Sequence, residues 1–176
     1  MRITMPKAED THNFGLQLAE ILRSGDLVIL TGQLGAGKTA LTKGIGAGLG
    51  VAGTITSPTF VIARTHKPGT LDLPLVHVDA YRLESLDELD DLDLDTDVAT
   101  SVTCVEWGAG LAERLADAHL EVCLTRRSDD VREIELTGRG ADWTQRLTTL
   151  AATFTHLTTP TESDSVRPDS KIGAAC

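Results

Sequence analysis

Residues 27–44 read LVILTGQLGAGKTALTKG. Five apolar or β-branched residues run straight into a glycine-rich loop, and a helical pattern follows. A short apolar run bounded by a turn signal reads as a buried strand. Gly32 to Thr39 then fits G-x-x-x-x-G-K-[ST], the phosphate-binding loop. Glycines let the backbone curl so that successive N–H groups face a phosphate, and the following helix adds its positive end. Lys38, expected as an exposed contact rather than a core residue, supplies positive charge to β- and γ-phosphates. Thr39 supplies a hydroxyl to Mg2+.

Working outward, a helix is expected over 11–24, with Phe14, Leu18, Ile21 and Leu22 on one face, Asp10 or Thr11 as cap and Gly25 as stop. A second helix is expected over 38–49, weakened by Gly44, Gly46 and Gly48. Strands are expected at 59–66 and 73–79 around a turn at Pro68–Gly69, and again at 101–107. A short helix follows in LAERLADA. HLEVCLT and VREIELT read as a hairpin around RRSDD, and a last helix covers 142–154. Strand, loop, helix and further strands imply a single P-loop NTPase-like α/β domain over 1–154. Its central sheet is mixed because of the hairpins, and helices flank it. Residues 155–176 are rich in Thr, Ser, Pro and Asp and read as a disordered tail.

Composition narrows the function classes. The chain has 176 residues, 41% apolar, and a net charge of −10. That charge argues against gripping a nucleic-acid backbone directly. No apolar run is long enough for a membrane span, and the first residues lack the apolar core of a secretion signal. Cys104, Cys123 and Cys176 form no CxxC pair, and buried thiols in a reducing cytoplasm are the simple reading. Eight carboxylates and no basic residue lie between Glu84 and Asp97, a face that a basic partner can use. Asp91, Asp93 and Asp95 look like the start of a calcium loop, but Thr96 and Val102 stand where Gly and Glu are required. A solvated acidic helix with Leu86, Leu89 and Leu92 inward is the better reading.

A magnesium-bound nucleotide needs an acid at the end of a neighbouring strand. LVHVD ends in Asp79 and VTCVE in Glu106. Either can be the metal acid, and the other can orient the attacking water. In TSPTF, 56–60, Pro58 disfavours helix at Ser57. Ser57 and Thr59 fit a segment that senses the γ-phosphate, and fit an ordinary turn equally well.

GQLGAGKT (32–39), TSPTF (56–60), HVDAYRL (77–83) and CVEWG (104–108), in that order and spacing, resemble the TsaE (YjeE) family. These are small P-loop ATPases of bacterial tRNA threonylcarbamoyladenosine synthesis. The resemblance runs from about Thr11 to about Thr137. It implies slow ATP hydrolysis, with ATP and Mg2+ as cofactors, in association with TsaD-like and TsaB-like proteins. TsaD transfers the threonylcarbamoyl group to the adenosine beside the anticodon, so tRNA is met only indirectly. By the same resemblance Gly35, Ala36, Gly37, Lys38, Thr39 and Ala40 wrap the phosphates, and Thr39 and Glu106 hold magnesium. Asp79 sits near the γ-phosphate and its water, and Thr11 lies near the base. Trp107 and Tyr81 to Leu83 carry over without a role, and Arg132 is the candidate for a hairpin arginine at the nucleotide. Gln33 and Ala40 depart from relatives that carry Asp and a second hydroxyl there.

The competing reading is a P-loop kinase of a small metabolite. It needs a basic lid, where this chain is acidic after Leu83. A GTPase is disfavoured because N-K-x-D is absent. A scaffold that binds ATP without using it is a further alternative. Lys38, Thr39, Asp79 and Glu106 are all present, so the residues for chemistry are in place. Testing assembly without nucleotide would separate the two readings.

Overall fold

The structure is a computed structural model and describes residues 1–58, 62–83, 85–92, 94–140 and 142–154. The expectations for Thr59, Asp93, Cys176 and the tail 155–176 lie outside the described residues. In chain order the elements are β1 (Arg2–Met5), α1 (Ala8–Ala19), β2 (Leu27–Thr31), α2 (Lys38–Gly48), β3 (Ala63–His66) and β4 (Leu75–Asp79). A 3-10 turn (Ala80–Arg82) precedes α3 (Leu86–Asp90), α4 (Asp95–Thr100) and β5 (Val102–Glu106). A second 3-10 turn (Ala112–Leu115) precedes β6 (His119–Arg126), β7 (Arg132–Arg139) and α5 (Trp143–Thr153).

Seven strands form one sheet in the order β1-β7-β6-β2-β5-β4-β3. The four inner strands β6, β2, β5 and β4 are parallel, while β7, β1 and β3 join antiparallel at the margins. The mixed sheet expected from the hairpin is therefore present. Strands β4 and β5 are buried along their whole length, as both-face burial in a parallel sheet requires. One face packs Val28, Leu30 and Cys104 against Phe14 and Leu18 of α1, Leu41 and Ile45 of α2, and Trp143 of α5. The other packs Leu27, Ile29, Val76 and Val105 against Leu89 of α3, Val98 of α4 and Ala112. Among the described residues no helix is long and apolar enough to cross a membrane.

Several local readings change. Helix α1 begins at Ala8, not residue 11. Lys7 is the N-cap, and Asp10 accepts from the Lys7 backbone N–H at 2.8 Å as the third residue of the first turn. Thr11 lies inside the helix, and Gly25 belongs to the turn before β2. Strand β1 was not foreseen: a four-residue run is short, and only its pairing with β7 gives its alternation meaning. The segment LAERLADA forms one 3-10 turn rather than an α-helix. The acidic stretch forms two short helices. Within it Leu89 is buried and Leu92 packs half-buried on the second core face. Cys104 is a fully buried free thiol, while Cys123 is half-buried and not free, so among the described cysteines the buried-thiol reading holds for Cys104 and not for Cys123.

The glycines of α2 have a packing role. A Cβ on Gly44 would run into the His12 carbonyl of α1, and one on Gly15 would meet Leu41 O and the Gly44 Cα. The two helices approach backbone to backbone, which only residues without a side chain allow. That contact seats α1, and with it Thr11, against the glycine-rich loop.

Candidate functional site

Parallel strands β2, β4 and β5 end together, and the loops leaving them form one crevice, the usual ligand position in open α/β sheets. Gly32 leaves β2 with φ +133°, and Gly35 and Gly37 also have positive φ. The loop therefore curls back and delivers the chain into α2 at Gly37, its N-cap. The first turn of α2 lines the crevice, and a helix start offers N–H groups without intrahelical partners to an anion. The crevice encloses about 440 Å³, lined by Gly35, Gly37, Lys38, Thr39 and Ala40 on one side and Ser57, Asp79, Tyr81, Glu106 and Trp107 on the other, with Leu34 at its rim.

Lys38 differs from the exposed contact expected of it. It is only 4% exposed. Its Nζ donates to the carbonyls of Gly32 (2.8 Å) and Gln33 (3.1 Å) and lies 3.8 Å from the centroid of the Trp107 ring. Burial pulls its pKa below the usual lysine range, and the charges of Glu106 and Asp79 oppose that shift. Trp107 reaches this position because its φ is +61°, a left-handed turn unusual for a bulky residue, immediately after β5. The Tyr81 ring packs against it at 5.3 Å between centroids, tilted by 59°.

The Thr39 hydroxyl donates to Glu106 Oε1 at 2.8 Å. A hydroxyl and a carboxylate at this separation form the hard-oxygen donor set that magnesium accepts, alongside ligand phosphates. Among the described residues no three His, Cys, Asp or Glu side chains converge as a metal cage. A divalent ion here would need oxygens from a nucleotide as well. The buried His77 places its Nε2 2.9 Å from the same Glu106 oxygen. Asp79 Oδ1 accepts from the Tyr81 N–H at 3.1 Å, capping the 3-10 turn that follows β4.

The remaining candidates fall differently. Ala36 is fully buried and packs into the core. Thr11 is 1% exposed, its Oγ1 lacks a hydrogen bond among the described residues, and its side chain abuts Gly37 behind the loop. Arg132 is turned into its own hairpin, 2.5 Å from the Asp130 carbonyl oxygen and 3.3 Å from its carboxylate. Its register partner Arg126 stands beside the loop instead, with Nη1 3.7 Å from where a Gly35 Cβ would sit. Gln33 Nε2 ties the loop to Arg126 O at 3.0 Å. Sequence reasoning missed both Arg126 and His77. The only signal for His77 was its place two residues before Asp79 on one strand face.

The fold and the loop together define a P-loop NTPase-like α/β protein. The family model of the threonylcarbamoyl adenosine biosynthesis protein TsaE matches residues 5–134. The chain belongs to the TsaE family. It is 54% identical over 134 residues to the tRNA threonylcarbamoyladenosine biosynthesis protein TsaE of Streptomyces coelicolor, covering 73% of this chain and 90% of that one. It is 41% identical over 133 residues to the Bacillus subtilis protein of the same name, covering 75% and 82%. A crystal structure of Bacillus subtilis YdiB superposes with a TM-score of 0.71 at 31% identity, covering 87% of this chain and 95% of that one. The family places the chain in tRNA threonylcarbamoyladenosine biosynthesis.

Proposed function

We propose that the chain binds ATP with Mg2+ in the crevice and hydrolyses it slowly. In doing so it supports turnover of a cytoplasmic TsaD-like and TsaB-like assembly that adds threonylcarbamoyl to N6 of the adenosine beside the anticodon. It does not itself transfer that group. The observation that carries this reading is the convergence of Lys38, the Thr39–Glu106 pair and Asp79 at the ends of β2, β5 and β4.

In this reading Lys38 exchanges the Gly32 and Gln33 carbonyls for phosphate oxygens, and the N–H groups of the glycine-rich loop hold the β-phosphate. A divalent cation bound beside the phosphates would supply positive charge to offset the negative charge that develops during hydrolysis. Thr39 and Glu106 hold that cation. Asp79, beside Glu106 on the next strand, accepts a hydrogen bond from the attacking water and fixes its line of approach. Slow turnover follows from an open crevice, where the water is loosely placed until a docked surface excludes solvent. Thr11 is assigned to the nucleotide base by resemblance, and reaching it requires α1 or the loop to shift. The net charge of −10 supports contact with tRNA through partners rather than directly.

The test is reconstitution. Threonylcarbamoyl transfer to tRNA by the TsaD-like and TsaB-like proteins should pass from about one turnover to many when this chain and ATP are added. Equal turnover with and without the chain overturns the reading.

A further inference from the structure

We propose that His77 is a positioning residue that fixes the Glu106 carboxylate for its cation. The inference rests on the magnesium–nucleotide reading of the crevice. His77 and Asp79 lie on the same face of β4, and Asp79 is the register partner of Glu106. His77 is therefore the diagonal neighbour of Glu106 across the β4–β5 ladder, within reach of a long side chain.

The contact is made below the crevice floor. His77 has no exposed surface and the Glu106 side chain is 4% exposed, with His77 Nε2 2.9 Å from Oε1. An ionised carboxylate only accepts, so the ring donates from Nε2. The other ring nitrogen, Nδ1, is buried without a hydrogen bond among the described residues. Leaving that nitrogen unmet costs stability, because a buried polar atom has given up its water without a replacement. A ring placed only to fill the core would carry that cost for nothing.

Glu106 Oε1 thus receives two donors, Thr39 from the loop and His77 from the sheet. They differ in rigidity. The Thr39 hydroxyl must reorient when its oxygen takes up a cation. The His77 N–H belongs to a ring locked in the core and does not move. It holds Oε1 while Thr39 adjusts. A carboxylate held this way has lost its rotational freedom before the cation arrives. Partners of this outer kind typically change metal affinity 10–100-fold.

Two variants separate a donor from a filler. His77→Gln puts an amide N–H near the Nε2 position, whereas His77→Asn puts it near Nδ1, out of reach of Glu106. Binding of a non-hydrolysable ATP analogue is titrated calorimetrically at graded Mg2+ and also in EDTA, with thermal melts alongside. His77→Asn should raise the Mg2+ needed for half-saturation about tenfold or more, and His77→Gln should stay within about threefold of the wild type. Metal-free affinity should be the same in all three. An unshifted Mg2+ requirement in His77→Asn overturns the proposal. So do equal shifts in both variants, or a parallel fall in metal-free affinity. If the wild type itself binds nucleotide without any Mg2+ dependence, the magnesium reading of the crevice falls and this inference with it. Dependence in the wild type with no change in His77→Asn removes the role of His77 alone.

Discussion

Asp79 and Glu106 stand level with each other as register partners at the ends of the parallel strands β4 and β5. Both are nearly buried, at 5% and 3% exposure, yet both line the crevice. Their partners differ. Glu106 is fixed by Thr39 and His77, and Asp79 caps the Tyr81 N–H. Different roles are expected of them. Glu106→Gln should raise the Mg2+ required for nucleotide binding by about tenfold, because an amide is a poor ligand for a hard cation. Asp79→Asn should keep Mg-nucleotide binding and lower hydrolysis at least about a hundredfold, the usual yield of a positioned proton acceptor. Exchange of the two phenotypes in paired binding and phosphate-release assays would reverse the assignment.

Lys38 and Trp107 supply an optical readout. The ammonium lies on the indole face, and phosphate oxygens would draw it away. Nucleotide should therefore change tryptophan emission in the wild type and leave Trp107→Phe silent. The second indole, Trp143, is buried beneath Arg146 and should not respond. Lys38→Ala should weaken nucleotide binding by one to two orders of magnitude, from the loss of roughly 1.5–3 kcal/mol of charged hydrogen bonding. Wild-type affinity in that variant would remove the phosphate-loop argument.

Gly44→Ala sets two effects against each other. Alanine gains about 1 kcal/mol of helix propensity. The added Cβ meets the His12 backbone carbonyl, which cannot swing aside as a side chain could. Overpacking of this kind costs about 1–3 kcal/mol, and the helix pair must separate to relieve it. A lowered melting temperature is expected, together with weaker nucleotide binding because Thr11 and Gly37 lose their seat. Lys43→Ala, one residue away and exposed, should be close to neutral in the same melts.

Acid should reveal the β6–β7 pair. Arg139 binds both oxygens of Glu121, at 2.9 and 3.2 Å, and holds its pKa below the usual glutamate value, with His119 Nε2 also 3.5 Å away. A lowered folded-state pKa means stability that is present above the ordinary glutamate range and lost as pH falls through the lowered value. The pair is partly exposed, so Glu121→Gln should cost at most about 1 kcal/mol at neutral pH. The difference from wild type in urea melts should close in acid. A gap that persists undiminished at low pH would show that the glutamate acts through packing.

Strand β2 and the loop after it were legible in the sequence because their signals are local. An apolar run bounded by glycine needs no distant partner to be read, and eight consecutive residues carry the phosphate-binding geometry in their own backbone. The hairpin of β6 and β7 and the helix α5 were legible for the same reason. Strand β1 was not, since Arg2–Met5 becomes a strand by pairing with Arg132–Glu135 at the other end of the chain. The spacing of Gly44 looked like a weakness of α2 until α1 was laid against it.

The site divides along the same line. Its residue types were set by the sequence: a lysine and a hydroxyl at the start of a helix, and two acids at strand ends. Which of those acids meets Thr39 was a tertiary matter, decided by the order β2-β5-β4 and by register, which bring Glu106 to the hydroxyl. The same register placed His77 beneath Glu106. It took an unforeseen turn at Trp107 to fold the indole over Lys38. Strand order brought Arg126 rather than Arg132 to the loop, because β6 adjoins β2 and β7 lies one strand further out. Local backbone chemistry is written in neighbouring residues. The meeting of side chains 29 or 67 positions apart depends on how strands pair across the sheet, and only the packed core fixes that.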